Sequence, residues 1–193
     1  ANGRLEYNMG AKGSTADINI SNVVIKKIAD PDPNAKEIKK VLANGNYIYN
    51  GSFQEGDKHL GYWDIAKTQN ASTYVSGYSD GRRFCLRSTD GKPAKATLSQ
   101  DDLTFTNGKP YTLSFTARAK EDTTLAVSLG GKKYNVNVKA NTDEIYTIKL
   151  PSTAAYTDQK FAIRLESTQE VSIDNIKLVE AALIKNGSFN DGL

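Results

Sequence analysis

The 193-residue chain contains one cysteine, one histidine, one tryptophan and one methionine. The lone cysteine, Cys85, excludes an intramolecular disulfide framework. It sits in mid-strand, where a packed thiol is the default. The lone histidine, His59, would have to centre any Ser-His-Asp or Cys-His arrangement, yet Asp57-Lys58-His59-Leu60-Gly61 reads as a loop. There is no phosphate-cradling glycine loop, zinc-ligand spacing or EF-hand loop. Asp101 and Asp102 are sequence neighbours in a turn-like stretch, a poor arrangement for two carboxylates that must flank a glycosidic bond. No apolar run is long enough to cross a bilayer as a helix. Charge of one sign is scarce too. The formal net charge is +3 and basic residues alternate with acidic ones, which argues against nucleic acid as a partner. These absences lead us to expect a non-catalytic domain.

What the chain does have is repetition. Asn50-Gly51-Ser52-Phe53 recurs as Asn186-Gly187-Ser188-Phe189, and Ile20-Ser21-Asn22-Val23-Val24-Ile25 reads like Ile173-Asp174-Asn175-Ile176-Lys177-Leu178. In each copy the isoleucine-rich phrase precedes the Asn-Gly-Ser-Phe phrase, as if one unit ended where the next began. The expected organisation is therefore a segment of a tandem array. Residues 1–28 would be the closing strands of a preceding module and 29–46 a linker with a short helix over Asn34–Leu42. Residues 47–180 would form one whole module and 181–193 the first strand of a following one. Because isolated strands need partners, Leu5–Met9 and Ile18–Ile25 are expected to pair with another β element.

The pattern is β almost throughout. Apolar and polar residues alternate over Tyr111–Arg118, Leu125–Leu129, Tyr134–Val138, Phe161–Glu166 and Val171–Ile176. Turn residues punctuate them at Ser79-Asp80-Gly81, Thr89-Asp90-Gly91, Asn107-Gly108 and Gly130-Gly131. About ten short strands at regular spacing predict an all-β fold, a β-sandwich or jelly roll of two antiparallel sheets. A central unit of about 130 residues is long enough to bury a real core.

In order along the chain come Asn50-Gly51-Ser52-Phe53-Gln54, Gly61-Tyr62-Trp63, Gly108-Lys109-Pro110-Tyr111-Thr112-Leu113-Ser114-Phe115 and Ile173-Asp174-Asn175-Ile176-Lys177-Leu178. This ordered set, spanning residues 47–180, resembles the jelly-roll carbohydrate-binding modules of families four, nine, sixteen and twenty-two. The resemblance implies a module that tethers a secreted or cell-surface protein to a polysaccharide or oligosaccharide. The parent would be a larger glycoside hydrolase, with adjacent modules of the same polypeptide as further partners. It also implies a structural calcium with Asp174 and Gln54 among its ligands. Gln54 replaces the family's usual glutamate and supplies only a neutral oxygen. The other reading of Asp174 is a hydrogen-bonding role at a neighbouring strand. From another class, a structural or adhesive spacer repeat without a sugar site remains the alternative.

Sugars offer C–H faces to aromatic rings and hydroxyl rims to polar side chains. The chain has ten tyrosines, and Tyr62, Tyr74, Tyr78, Tyr134 and Tyr156 fall outside clean core positions. The candidate binding residues are Tyr62, Trp63, Tyr74, Tyr78, Arg87, Gln100, Arg118, Arg164 and Glu166. Trp63 is either a stacking platform or a plug at the sandwich edge. Strand alternation turns Arg87, Arg118, Arg164 and Glu166 away from the core. Joined by Gln100, they would make a face suited to polyhydroxyl recognition or an ordinary solvated sheet face with ion pairs.

Overall fold

A computed structural model describes Ser21 and residues 39–78 and 81–181. From residue 39 onward these belong to the second of two contact-defined units of the chain, Glu37–Leu193. Ten strands follow in order: β1 (Asp64–Lys67), β2 (Ala71–Ser76), β3 (Arg83–Ser88), β4 (Ala94–Gln100), β5 (Tyr111–Ala119), β6 (Thr123–Leu129), β7 (Lys132–Val138), β8 (Asp143–Leu150), β9 (Phe161–Ser167) and β10 (Glu170–Glu180). The only helical element among the described residues is a three-residue 3-10 turn, Asp57–His59.

Every strand pairing is antiparallel. Sheet I has the order β1-β4-β9-β6-β7 and sheet II the order β2-β3-β10-β5-β8. The expected two-sheet sandwich is the observed one. Alternation decides which side chains face inward. On β5, Leu113, Phe115 and Ala117 are buried while Thr112, Ser114 and Thr116 are half-exposed and Arg118 is exposed. On β9, Phe161, Ile163 and Leu165 are fully buried. Between the sheets these residues meet Phe84, Leu86, Leu98, Val127 and Ile173 in one continuous core. Each of the larger side chains (Val, Leu, Ile and Phe) stabilises the fold by roughly 1.5–3 kcal/mol relative to exposure.

One break in the alternation has consequences for the rest of the molecule. The β10–β5 register shifts between Asp174 and Lys177, and Asn175 takes a left-handed φ of 52° there. The bulge keeps Asp174 and Lys177 on the outer side of sheet II while Ile176 turns into the core. It also aims the Ile176 amide at the opening segment, where it donates to the Gly51 carbonyl at 3.0 Å. Asn46 completes this seam: it bridges Val179, and its Oδ1 accepts from the amides of Leu178 (2.9 Å) and Ile48 (3.0 Å). The two phrases singled out in the sequence thus touch in space.

The described part of the expected helix, Lys39–Leu42, is not helical. Lys39 forms a parallel bridge to Leu103, and its Nζ donates to the Asp101 carbonyl at 2.8 Å. Tertiary pairing overrides a charged stretch whose only helical support was local. Residues 39–46, read as linker, lie against the sandwich through these contacts. The second copies of both phrases and the expected pairing of Leu5–Met9 and Ile18–Ile25 fall outside the described residues, save Ser21.

Candidate functional site

The opening phrase is architectural. Asn50, at φ 47°, places its side chain at the centre of a loop. Its Nδ2 donates to the carbonyls of Glu55, His59 and Gly61 at 2.9–3.1 Å, and its Oδ1 accepts from the amides of Gln54 and Glu55. Phe53 enters the core and stacks on Trp63 with centroids 5.8 Å apart. Trp63 is only 7% exposed; its Nε1 donates to the Asn50 carbonyl at 3.0 Å, and its ring meets Phe161 edge-on. Of its two readings, the plug is the one its burial allows, since a ring consumed by the core cannot lie on a sugar. Gln100 is likewise turned inward. It is fully buried and exchanges hydrogen bonds with the backbone of Tyr49.

The remaining candidates divide between two faces. Arg87 and Arg118 stand on the outer face of sheet II with Tyr74. Arg164 and Glu166 stand on the outer face of sheet I. Tyr62 and Tyr78 lie in loops, the first half-exposed against Tyr49 and the second 91% exposed. The single polar face expected to carry Arg87, Arg118, Arg164, Glu166 and Gln100 therefore does not exist. Alternation tells inside from outside but not which sheet a strand joins.

The outer face of sheet II holds paired charges. Tyr74 donates its hydroxyl to Glu170 at 2.6 Å, which pushes the phenol up to about 12. Arg83 of β3 makes two bonds to Asp143 of β8, at 3.1 and 2.6 Å, reaching across β10 and β5. Between them is Asp174, 2% exposed, with Oδ2 accepting from Asn175 and Oδ1 without a partner. Burial pushes its carboxyl up to about 6. A hollow of about 220 Å³ opens nearby over Ser114, Thr116 and Ile145.

The orphaned Asp174 oxygen is the one feature here that suits a cation. Gln54 does not join it in that role, because its Oε1 accepts from the guanidinium of Arg82, a cation already in place. Nor do the described residues contain a group of three or more His, Cys, Asp or Glu side chains able to hold a metal. Calcium takes six to eight oxygen ligands, carboxylates foremost. Among the described residues, Asp174 and Gln54 do not by themselves supply such a shell, since one has a single free carboxylate oxygen and the other is engaged by Arg82.

Sheet I presents a different surface. Register aligns its outward side chains in rows: Ala66, Thr97, Arg164, Ala126 and Asn135 in one, and Asp64, Ser99, Ala162, Ser128 and Lys133 in the next. Small residues floor the middle, and a groove of about 400 Å³ runs over them. Arg164 rises from the central strand, 52% exposed, with Glu166 4.0 Å away. Glu166 in turn lies 3.2 Å from Lys95. Neither row carries an aromatic ring. Sequence reasoning named Arg164 and Glu166, which stand on this face, and did not name Thr97, Ser128, Lys133 or Asn135. The alternation over 125–129 and 134–138 held the signal for Ser128 and Asn135, as small or amide side chains on the solvent side.

Comparison with known proteins bears on the fold and the family. The fold is similar to that of the enzymatically active domain of bacteriophage CBA120 tailspike protein 4 (TM-score 0.58, 15% identity), covering 71% of this chain but only 22% of that one. It is similar to TmCBM61, solved in complex with β-1,4-galactotriose (TM-score 0.52, 17% identity), over 70% of this chain and 99% of that one. A family 16 carbohydrate-binding module matches at a TM-score of 0.50 and 19% identity, covering 70% of this chain and all of that one (100%). No curated protein matches the chain. The carbohydrate-binding domain family that spans families four and nine matches residues 45–174, the stretch that opens at the Asn46 seam and closes at Asp174, and the chain belongs to that family.

Proposed function

We propose that the outer face of sheet I is where this carbohydrate-binding module holds its glycan. The groove over Ala126, Ser128 and Ala162 carries the reading. It is open along a flat row of short side chains, it has hydrogen-bonding groups on both flanks, and it exceeds the hollow on sheet II. A polysaccharide chain laid across the strands would find donors in Arg164, Lys133 and Asn135 and acceptors in Ser128 and Thr97.

In this reading the domain is a tether and does no chemistry. Burial pushes the Cys85 thiol up, away from a thiolate nucleophile, and His59 sits in the 3-10 turn that Asn50 holds by its backbone. Among the described residues no helix is long and apolar enough to cross a membrane. Such a module belongs in a secreted or surface-bound protein beside other modules, where tethering raises the effective substrate concentration near a partner domain.

The test is affinity electrophoresis of the full chain in gels containing β-glucan, mannan, xylan, galactan, polygalacturonate or κ-carrageenan, alongside Ala126→Trp and Ala162→Trp. At least one polymer should retard the parent protein. Both variants, which fill the groove floor, should lose that retardation while keeping a cooperative thermal transition. Retention of binding by both variants would move the site off sheet I, and a spacer repeat would show no retardation in any gel, acidic polymers included.

A further inference from the structure

The groove is unusual for a sugar site in having charge where a ring would be expected. Its lining includes two cations, Arg164 and Lys133, and no carboxylate. The one lining aromatic, Tyr134, lies on the inward side of β7, half-buried against the core. Lys133 has no ion-pair partner among the described residues. Arg164 has only the distant Glu166, whose carboxylate is closer to Lys95. Register sets the two cations on strands separated by β6, in adjacent rows across the groove floor. Small residues fill the space between them, and among the described residues the one carboxylate paired with either is Glu166, at 4.0 Å from Arg164.

A neutral glycan gains mainly from stacking and hydrogen bonds, and this floor offers no exposed ring to stack on. A guanidinium, by contrast, presents a planar fork that matches a carboxylate or sulfate in two parallel bonds, and a lysine ammonium serves as a second point charge. We propose that the groove selects an anionic polysaccharide, one whose repeating carboxylate or sulfate groups are bound by Arg164 and Lys133. This rests on the reading of sheet I as the glycan-binding face and names the ligand class that face takes.

The experiment is calorimetric titration of the full chain with four polymers: polygalacturonate, κ-carrageenan, β-1,4-galactan and xylan. The first carries carboxylates, the second sulfates, and the last two serve as neutral counterparts. One anionic polymer should bind about ten-fold or more tightly than either neutral one, and which of the two binds identifies the anion. Arg164→Gln and Lys133→Gln should each weaken that binding about ten-fold, with unchanged melting temperature. Lys149→Gln, on the outer face of sheet II, should leave it unaltered. Raising the salt should weaken the parent more than either groove variant. Equal or tighter binding to a neutral polymer, insensitive to Arg164→Gln, would overturn the anionic preference while leaving the glycan site in place. Equal losses from Lys149→Gln would reduce the effect to diffuse charge attraction and overturn it too. Failure of all four polymers to bind would remove the anionic preference, and silence in every gel, neutral and acidic, would remove the sheet I reading beneath it.

Discussion

At the scale of single residues, Asp174 is the most exposed to its environment's chemistry while being almost hidden from solvent. Its carboxyl is held at about 6 by burial, against 3.8 for the free group. The folded protein therefore keeps the proton over a range where the unfolded chain has lost it. Stability from this group is highest below about pH 4 and falls as pH rises toward and through 6. Asp174→Asn should accordingly be more stable than the parent at pH 7.5, by about 2 kcal/mol, and nearly equal to it at pH 4. Urea unfolding at the two pH values checks this; equal differences at both would show that Asp174 is ionised in the fold. The sequence placed Asp174 in the closing strand and offered a metal or a hydrogen bond for it. Neither reading could foresee an oxygen left bare, because that follows from a one-residue bulge and from an Arg83–Asp143 pair that joins distant strands.

At the scale of elements, the strands were legible and their assembly was not. Alternation over β5, β6, β7, β9 and β10 located each strand to within a few residues, since a half-buried strand must show period two. From sequence alone Gln100 joins the outward face without a strand of its own, whereas the inward side of β4 ends on it and the Tyr49 backbone satisfies its amide. Which sheet a strand joins depends on turns and long-range pairing that leave no local trace. One turn contact illustrates the point. Glu121, between β5 and β6, accepts from the Ser167 hydroxyl at 2.6 Å, the Thr168 amide and hydroxyl, and the Gln169 amide at 3.1 Å. These donors, Ser167 foremost, lower its carboxyl to about 2 from 4.5. Its stabilising contribution is present above about pH 4.5 and disappears as pH falls toward 2. Glu121→Gln should lower the melting temperature at pH 7, and the gap to the parent should close on acidification. A gap that persists at pH 2.5 would mean that Glu121 acts by shape and not by charge.

At the scale of the whole molecule, the two sheets carry unlike outer surfaces on a shared core. Sheet II joins its distant strands through the Arg83–Asp143 pair beside the near-buried Asp174; sheet I sets Arg164 and Lys133 around an open groove. The seam between the opening segment and β10 lies apart from that groove, so the two can be perturbed separately. A Cβ on Gly51 would sit 2.0 Å from the Ile176 carbonyl oxygen, closer than any contact can be. Gly51→Ala should therefore destabilise the fold by about 3 kcal/mol, seen as a lower urea midpoint. The folded fraction should keep its glycan affinity; a loss of affinity in step with stability would tie the seam to the groove. The meeting of Asn46 and Gly51 with Ile176 and Leu178 also has a meaning for how such a domain is built. The stretch that leads into the sandwich and the stretch that leads out of it are neighbours, like the two ends of a buckled belt. A domain fastened this way can be inserted between other segments without parting them.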